Sequence, residues 1–416
     1  MRTVRSVSAA ARYLVLLATM AGVLLLGIGK PLHNWDMIGY AGSAYQLDGY
    51  RGQALLDRTY RDVRSEVDAD TFQTLTRGEH ESDRHYRETV ASDPKALSEQ
   101  LPFYSIRVVF VEAIRFVGRL GTTYSKATYV VSAIASALAV FALSRILLAS
   151  GVHFAVLPVL TLVSGLPEVA RESVADAPAI LVALLCVWAL LRGSAMSFVC
   201  AAILPLMRTD YIIISCLILA VEFVSGKRVA ATIAMALSIV AYLAVNRASG
   251  NYGWLTLVNF SALSHTPYPA ALTPSLNWKD YAKAYLFAIY DVTMGPEFGL
   301  LFIATYLLYS GLRRLGVSPA VMPRFIFDEC RRNRPLAGLY VVPVLYALSH
   351  VALFPHYEGH GYDERYFVFC VALVFVWILA RERTGRVGLP AFSQTASESS
   401  SKTRTASAIR SGVYGK

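Results

Sequence analysis

Hydrophobic residues in this chain gather in long blocks instead of alternating with polar ones. Residues 13–29, 128–148, 178–191, 229–245, 298–312, 336–354 and 367–380 are the clearest. Blocks of about 17 to 20 apolar residues match the length a helix needs to cross a hydrocarbon core of about 30 Å. The pattern therefore predicts an all-α, polytopic transmembrane protein.

The basic residues orient these blocks, because Lys and Arg concentrate on the cytoplasmic side. Arg2, Arg5 and Arg12 precede the first block and place the N-terminus inside. Arg381, Arg383 and Arg386 place the tail inside. Arg313, Arg314, Arg331, Arg332 and Arg334, and Lys227 with Arg228, mark two further inner loops. The apolar stretch 195–224 carries Arg208-Thr209-Asp210 at its middle. Three polar residues at the bilayer centre would be expensive, so two helices are expected to meet there on the outer side. Arg192 is then inside and 167–176 outside.

Residues 101–120 are apolar but carry Arg107, Glu112, Arg115 and Arg119. These four fall within an arc of about 140° on a helix, which predicts an amphipathic helix lying in the interface. Ten spans follow: 13–29, 128–148, 153–166, 178–191, 195–207, 211–224, 229–245, 298–312, 336–354 and 367–380. Arg119 and Lys126 fall outside, against the rule, whereas five later loops agree with it. The outer loops are 30–127, 167–176, 246–297 and 355–366. One transmembrane domain covers 1–383, and the Ser-, Thr- and Arg-rich residues 384–416 form a disordered cytoplasmic tail. No internal repeat is visible.

Composition strengthens this picture. Of 416 residues, 55% are hydrophobic and 16% charged, where a soluble domain carries nearer a quarter. A soluble enzyme is excluded. The net charge of +10 sits at the ends of apolar blocks, not in a patch interleaved with aromatics, so nucleic acid is not an expected partner. Cys186, Cys200, Cys216 and Cys370 lie in apolar segments and Cys330 in a basic loop, without metal or redox spacing. The basic, apolar N-terminus resembles a signal peptide, but Lys30-Pro31-Leu32 stands where a cleavage site should be. An uncleaved first helix is expected.

The orientation gathers the polar motifs on the outer face. Asp36 follows the first helix, in His33-Asn34-Trp35-Asp36-Met37-Ile38-Gly39-Tyr40. Arg171-Glu172 and Asp176-Ala177-Pro178 precede the fourth. Arg208 and Asp210 tip the hairpin, and His356, His360 and Glu364-Arg365-Tyr366 lead into the last. A carboxylate just outside the membrane can act as general base on an acceptor hydroxyl. A nearby arginine can hold a phosphate through paired hydrogen bonds. Acids with histidines could also hold a divalent metal, and no cofactor is otherwise specified. Plainer roles stand beside each: Asp36 and Asp176 as helix starts, Arg365 as an interfacial anchor, Arg208 and Asp210 as a structural pair, His356 and His360 as solvated loop residues.

With these motifs the chain resembles the polytopic GT-C glycosyltransferases, which use polyprenyl-phosphate sugars on the outer side. The likeness is one of layout, from residue 13 to about 380. Asp36 and Gln100-Leu101-Pro102-Phe103-Tyr104 resemble the first outer loop and its juxtamembrane helices. Arg171-Glu172 and Asp176-Ala177-Pro178 resemble the second acidic loop, and Glu364-Arg365-Tyr366 the arginine-tyrosine pair near the last core helix. The resemblance implies Asp36 and Asp176 as catalytic acids, with Asp36 the base. It implies Arg365 as the phosphate clamp, with Arg171, Glu172, Arg208, Asp210, Tyr366 and Tyr40 lining the substrate site. The expected partners are a lipid-linked sugar donor, membrane lipids and a lipid or glycan acceptor. No acids pair with Asp36 in the first loop, no soluble domain follows the last helix, and residues 57–99 form a polar insertion without assigned role. The expected location is a bacterial cytoplasmic membrane. A transporter, flippase or polysaccharide polymerase is the alternative.

Overall fold

The computed structural model describes residues 9–78, 80–355 and 364–384. Every regular element in them is helical. The N-terminal helix α1 (Ala9–Gly29) is followed by α2 (Asp36–Leu47), α3 (Gly52–Glu66), α4 (Ala69–Arg77), α5 (Glu81–Ser92) and α6 (Pro94–Gln100). Then come α7 (Pro102–Ser105), α8 (Val108–Arg119), α9 (Tyr124–Ala149), α10 (Leu157–Val163) and α11 (Leu166–Arg171). The chain continues with α12 (Asp176–Arg192), α13 (Met196–Met207), α14 (Ile212–Val224), α15 (Arg228–Ala248), α16 (Trp254–Ala262) and α17 (Trp278–Met294). It closes with α18 (Pro296–Arg314), α19 (Met322–Cys330), α20 (Arg334–Leu353) and α21 (Val368–Thr384).

Four helices, α1, α9, α15 and α20, are long and apolar enough to cross a membrane. The pair α17 and α18 makes a fifth candidate, bent by 73°. The bend falls at Gly295-Pro296: proline drives the residue before it out of helical geometry, and Gly295 is extended at φ −70°, ψ 131°. Phe154–Val163, α13 and the apolar part of α21 are shorter. The expected helix at 153–166 is interrupted at Ser164-Gly165, where Gly165 adopts φ +80°. The expected outer loop 246–297 is largely helical, as α16 and α17. The tail beyond 384 lies outside the described residues.

Helix α9 is the centre of the bundle, packing against α1, α8, α11 and α12. Its buried residues are mostly small, including Ala127, Ser132, Ala133, Ser136, Ala139 and Ala142. Small side chains let membrane helices approach closely, which replaces the hydrophobic drive that lipid removes. Helix α12 in turn contacts α13, and α13 and α14 both contact α15.

The polar insertion 57–99 belongs to a helical cap, α2 to α6, with its own apolar core. On α3, Leu55, Leu56, Thr59, Tyr60 and Val63 are buried, at the spacing of one helical face. They pack with Met37, Ile38, Leu75, Val90 and Leu97. Asp68 and Asp93 cap α4 and α6 through backbone amides. The cap is bolted to α9: Asp62 accepts from Tyr45 Oη at 2.6 Å and from the Tyr124 amide at 3.0 Å. Asp48 pairs with Arg115 at 2.7 Å. The cap also grips the segment after α16, since Gln100 Nε2 donates to the Thr266 and Pro267 carbonyls.

The expected single amphipathic helix at 101–120 is two, α7 and α8, broken at Arg107. Arg107 leaves helical geometry at φ −94°, ψ 60°, and its guanidinium donates back to the Phe103 carbonyl. The helix termini far from Asp36 along α12 to α14 are joined by Glu222, which is fully buried. It accepts from Ser197 Oγ at 2.9 Å and lies 3.3 Å from Lys227 Nζ and 3.6 Å from Arg334. Lys227 and Arg334 also donate to the Gly193 and Leu190 carbonyls at the end of α12.

Candidate functional site

Asp36 opens α2, where a carboxylate is favoured by the exposed N–H groups of the first turn. Trp35 before it makes no side-chain cap, and the Asp36 carboxylate is turned to another partner. Three residues on, Gly39 lets α2 lie directly on Tyr104, whose ring a Cβ at Gly39 would overlap. The close approach seats the Tyr40 ring edge-on against Tyr104 and Phe110, with centroids 5.1 and 4.7 Å apart.

The partner of Asp36 is Arg365, 329 residues away along the chain, whose Nη1 donates to Asp36 Oδ2 at 2.9 Å. The same nitrogen lies 3.6 Å from Glu172 Oε2. Glu172 is held by its backbone. Leu32, just past α1, bridges in parallel to Glu172, and its amide donates to the Arg171 carbonyl at 2.8 Å. Arg171 is turned elsewhere: its Nε donates to the Lys30 carbonyl at 2.8 Å. The expected outer-face motifs thus converge, with Arg171 at the margin.

A second cluster is sealed more deeply. Asp176 opens α12, and its carboxylate accepts from Arg208 Nη1. Arg208 also grips Asp210 through two parallel bonds, Nε to Oδ1 at 2.9 Å and Nη2 to Oδ2 at 3.1 Å. Bidentate pairing of this kind fixes direction as well as adding energy. Tyr346 Oη donates to Asp210 Oδ2 at 3.3 Å, and His350 Nδ1 stands 3.7 Å from the same oxygen. Arg208 and Asp210 thus form an ion pair, with Asp176 as its third member.

Tyr366 joins the clusters. Its ring lies 5.3 Å from the Arg365 guanidinium and 5.0 Å from that of Arg208, a cation–π arrangement on both sides. Tyr40 feels both clusters as well: the charges of Arg107, Asp36, Asp176 and Arg208 all act on it. Burial is the largest influence and pushes its phenol up to about 12, so Tyr40 is a neutral hydrogen-bond donor at physiological pH.

Exposure separates the two clusters. Side chains of Asp36, Arg365 and Glu172 are 23%, 16% and 21% exposed. Those of Arg208, Asp176 and Asp210 are 6%, 5% and 11% exposed. The first cluster is partly exposed, and the second is buried. Among the described residues Arg365 contacts both Asp36 and Glu172, so an anionic ligand reaching it would compete with them.

Tyr104, Arg107, Tyr346 and His350 belong to this site although sequence reasoning did not place them there. His350 had a readable signal, as an ionisable residue inside an apolar block. Arg107 had none, because its helical-wheel position assumed an unbroken helix. His356 and His360 lie outside the described residues. Among the described residues, no three or more His, Cys, Asp or Glu side chains are grouped to hold a metal ion. No family model matches the chain, and no curated protein or solved structure matches it either.

Proposed function

We propose that the protein is a membrane glycosyltransferase with the GT-C layout. It would cross the membrane about ten times with both termini in the cytoplasm. It transfers a sugar from a polyprenyl-phosphate donor to a lipid or glycan acceptor at the outer face of a bacterial cytoplasmic membrane. The observation that carries this reading is the half-open Asp36–Arg365 pair, in which a carboxylate and a guanidinium meet at 2.9 Å.

In this reading the donor phosphate displaces Asp36 from Arg365, which needs little rearrangement because the guanidinium keeps Glu172 and the Tyr366 ring as its other supports. The freed Asp36 carboxylate accepts the proton of the acceptor hydroxyl. The acceptor oxygen then bonds to the anomeric carbon as the bond from that carbon to the phosphate oxygen breaks. The electron pair leaves on the polyprenyl phosphate, where Arg365 stabilises the growing charge. Asp176, Arg208 and Asp210 form the rigid wall that positions Tyr366. Tyr40, protonated, can donate to a sugar or phosphate oxygen.

The test is donor consumption. Purified protein in lipid is given a panel of polyprenyl-phosphate sugars with membrane-lipid acceptors, and release of polyprenyl phosphate is measured. Release from one donor supports the reading. A folded protein that releases it from none, with acceptors varied, counts against it.

A transporter is the second reading, and two observations favour it. The interrupted segment α10–α11 and the bent pair α17–α18 are broken helices of the kind transporters use. Ion networks also close α12 to α14 at both ends, around Arg208 and around Glu222. Uptake of labelled lipid or sugar into sealed vesicles would favour this reading, and its absence would leave the transferase.

A further inference from the structure

At the end of the bundle remote from Asp36, arginines collect where helices stop. Helix α21 leaves the half-open cluster just after Arg365 and Tyr366 and reaches Arg381 near its other end. Helix α18 starts beside it, where the Phe298 and Phe367 rings pack 4.7 Å apart. Further along, Tyr340 of α20 ties the two together. Its ring lies 4.8 Å from Trp377 of α21, and its hydroxyl donates to Thr305 Oγ1 of α18 at 2.9 Å. The three helices therefore bring Arg313 and Arg314, in the last turn of α18, to the level of Arg381.

The Arg381 guanidinium is laid 5.7 Å from the Trp377 ring, and the charge of Arg314 acts on it. Neighbouring guanidinia repel one another, and an anion shared between them relieves the repulsion. Arg313 and Arg314 are exposed, and among the described residues neither forms an ion pair. Arg313 Nη1 donates to the Val317 carbonyl at 3.4 Å.

Apolar side chains stand beside these cations. Leu315 follows Arg314 and is 51% exposed, and Val321 and Phe327 are 52% and 55% exposed. On α19, Phe327 shares the exposed face with Arg324, Asp328 and Arg331, at the spacing of one helical side. Met322, Phe325, Ile326 and Cys330 turn the other way and pack into the bundle. Helix α19 is thus fixed by one face and offers guanidinia and an aromatic ring on the other.

Free phosphate or nucleic acid would answer the charge but leave Leu315, Val321 and Phe327 in water. A phospholipid answers both, because its phosphate sits directly over its acyl chains. Basic clusters next to a membrane-spanning helix on the cytoplasmic side attract acidic lipids, and basic pockets between helices there hold their head groups. We propose that this end of the bundle binds an acidic phospholipid of the inner leaflet, with the lipid phosphate between Arg314 and Arg381 and α19 lying in the head-group layer. The assignment does not depend on the transferase reading.

The full-length protein in neutral detergent is titrated with phosphatidylglycerol or with phosphatidylcholine of the same chains. Bound lipid is followed by native mass spectrometry, and thermal stability in parallel. One cation at the membrane surface contributes roughly fivefold in affinity for acidic lipid. The double variant Arg314→Gln, Arg381→Gln should therefore lose on the order of thirtyfold for phosphatidylglycerol, with phosphatidylcholine binding unchanged. Arg119, exposed beside the cap and near Asp48, supplies the control, and Arg119→Gln should bind as wild type does.

Equal binding of the two lipids by the folded wild type would overturn the proposal. A loss in Arg119→Gln as large as in the double variant would overturn the site, since bulk charge would then account for binding. Displacement of phosphatidylglycerol by an equal concentration of inorganic phosphate would overturn the choice of a lipid. Should the Arg381 change unfold the protein, Arg313→Gln with Arg314→Gln alters two exposed side chains and should show a comparable loss. Unaltered phosphatidylglycerol binding by that variant would overturn the proposal.

Discussion

Replacing Arg208 with methionine tests whether the sealed cluster is structural wall or working machinery. Methionine fills similar space without the charge, and leaves Asp176 and Asp210 facing each other with their shared cation gone. Both carboxylates are at most 11% exposed, so water cannot take over its role. Breaking a buried ion pair by removing one partner costs about 3–5 kcal/mol, because the remaining charge is uncompensated. Here two carboxylates lose their shared cation, and each can relieve itself by taking up a proton, so a loss within that range is expected. Unfolding of the purified protein in detergent, followed by denaturant titration, reads the loss. The triple variant Arg208→Met, Asp176→Asn, Asp210→Asn should recover more than half of it, since no charge then remains buried. Arg365→Met, at a half-open cluster, should lower stability by only about 1 kcal/mol. An Arg208→Met protein as stable as wild type, or a triple variant no better than the single, would refute this account of the wall.

Further outcomes follow from the same geometry. Glu222→Ala should destabilise by about 1–3 kcal/mol, because Ser197 loses a buried acceptor and Lys227 and Arg334 lose their shared carboxylate, and denaturant unfolding measures it. Gly39→Leu should lower stability by about 1–3 kcal/mol and displace Tyr104, whose ring the new side chain would overlap. At the cap, burial tends to raise the Asp48 carboxyl, but hydrogen bonds from Tyr124 and Arg115 outweigh it and hold the pKa below its usual 3.8. A depressed carboxyl contributes stability above its unfolded value and loses it as pH falls through the folded one. The Asp48 contribution should therefore fade below about pH 4, and Asp48→Asn should flatten that part of the stability profile.

The helical class was legible in the apolar blocks, which are helical apart from their end residues and the break at Ser164-Gly165 in 153–166. Block length and charge placement are local properties, which is why they could be read. Breaks within blocks were harder. Gly165 inside an apolar run and Arg107 inside an amphipathic one both interrupt helices, and each is a tertiary choice that hydropathy averages away. The role of 57–99 was hidden for a related reason. Its apolar residues are sparse, and only packing of α3 against α2 and α6 shows that they form a core.

For the site, the idea that motifs on one face come together was legible, and Asp36, Glu172 and Arg365 do meet. The division of labour was not. Asp176 read as a second catalytic acid and Asp210 as lining the substrate site or pairing with Arg208, and both are buried more deeply than Asp36. Arg171 read as lining the substrate site, and its Nε serves the Lys30 carbonyl. Glu222, a lone acid near the end of an apolar block, was the clearest overlooked signal.

The most direct test of the central claim compares wild type with Asp36→Asn in single-turnover transfer from the polyprenyl-phosphate sugar that wild type consumes. Asparagine keeps the shape and loses both the basicity and the ion pair with Arg365. The account predicts intact folding, donor binding equal to or tighter than wild type because Arg365 is released, and a loss of transfer of about 10²–10⁴-fold. Transfer at the wild-type rate by a well-folded Asp36→Asn protein would contradict it.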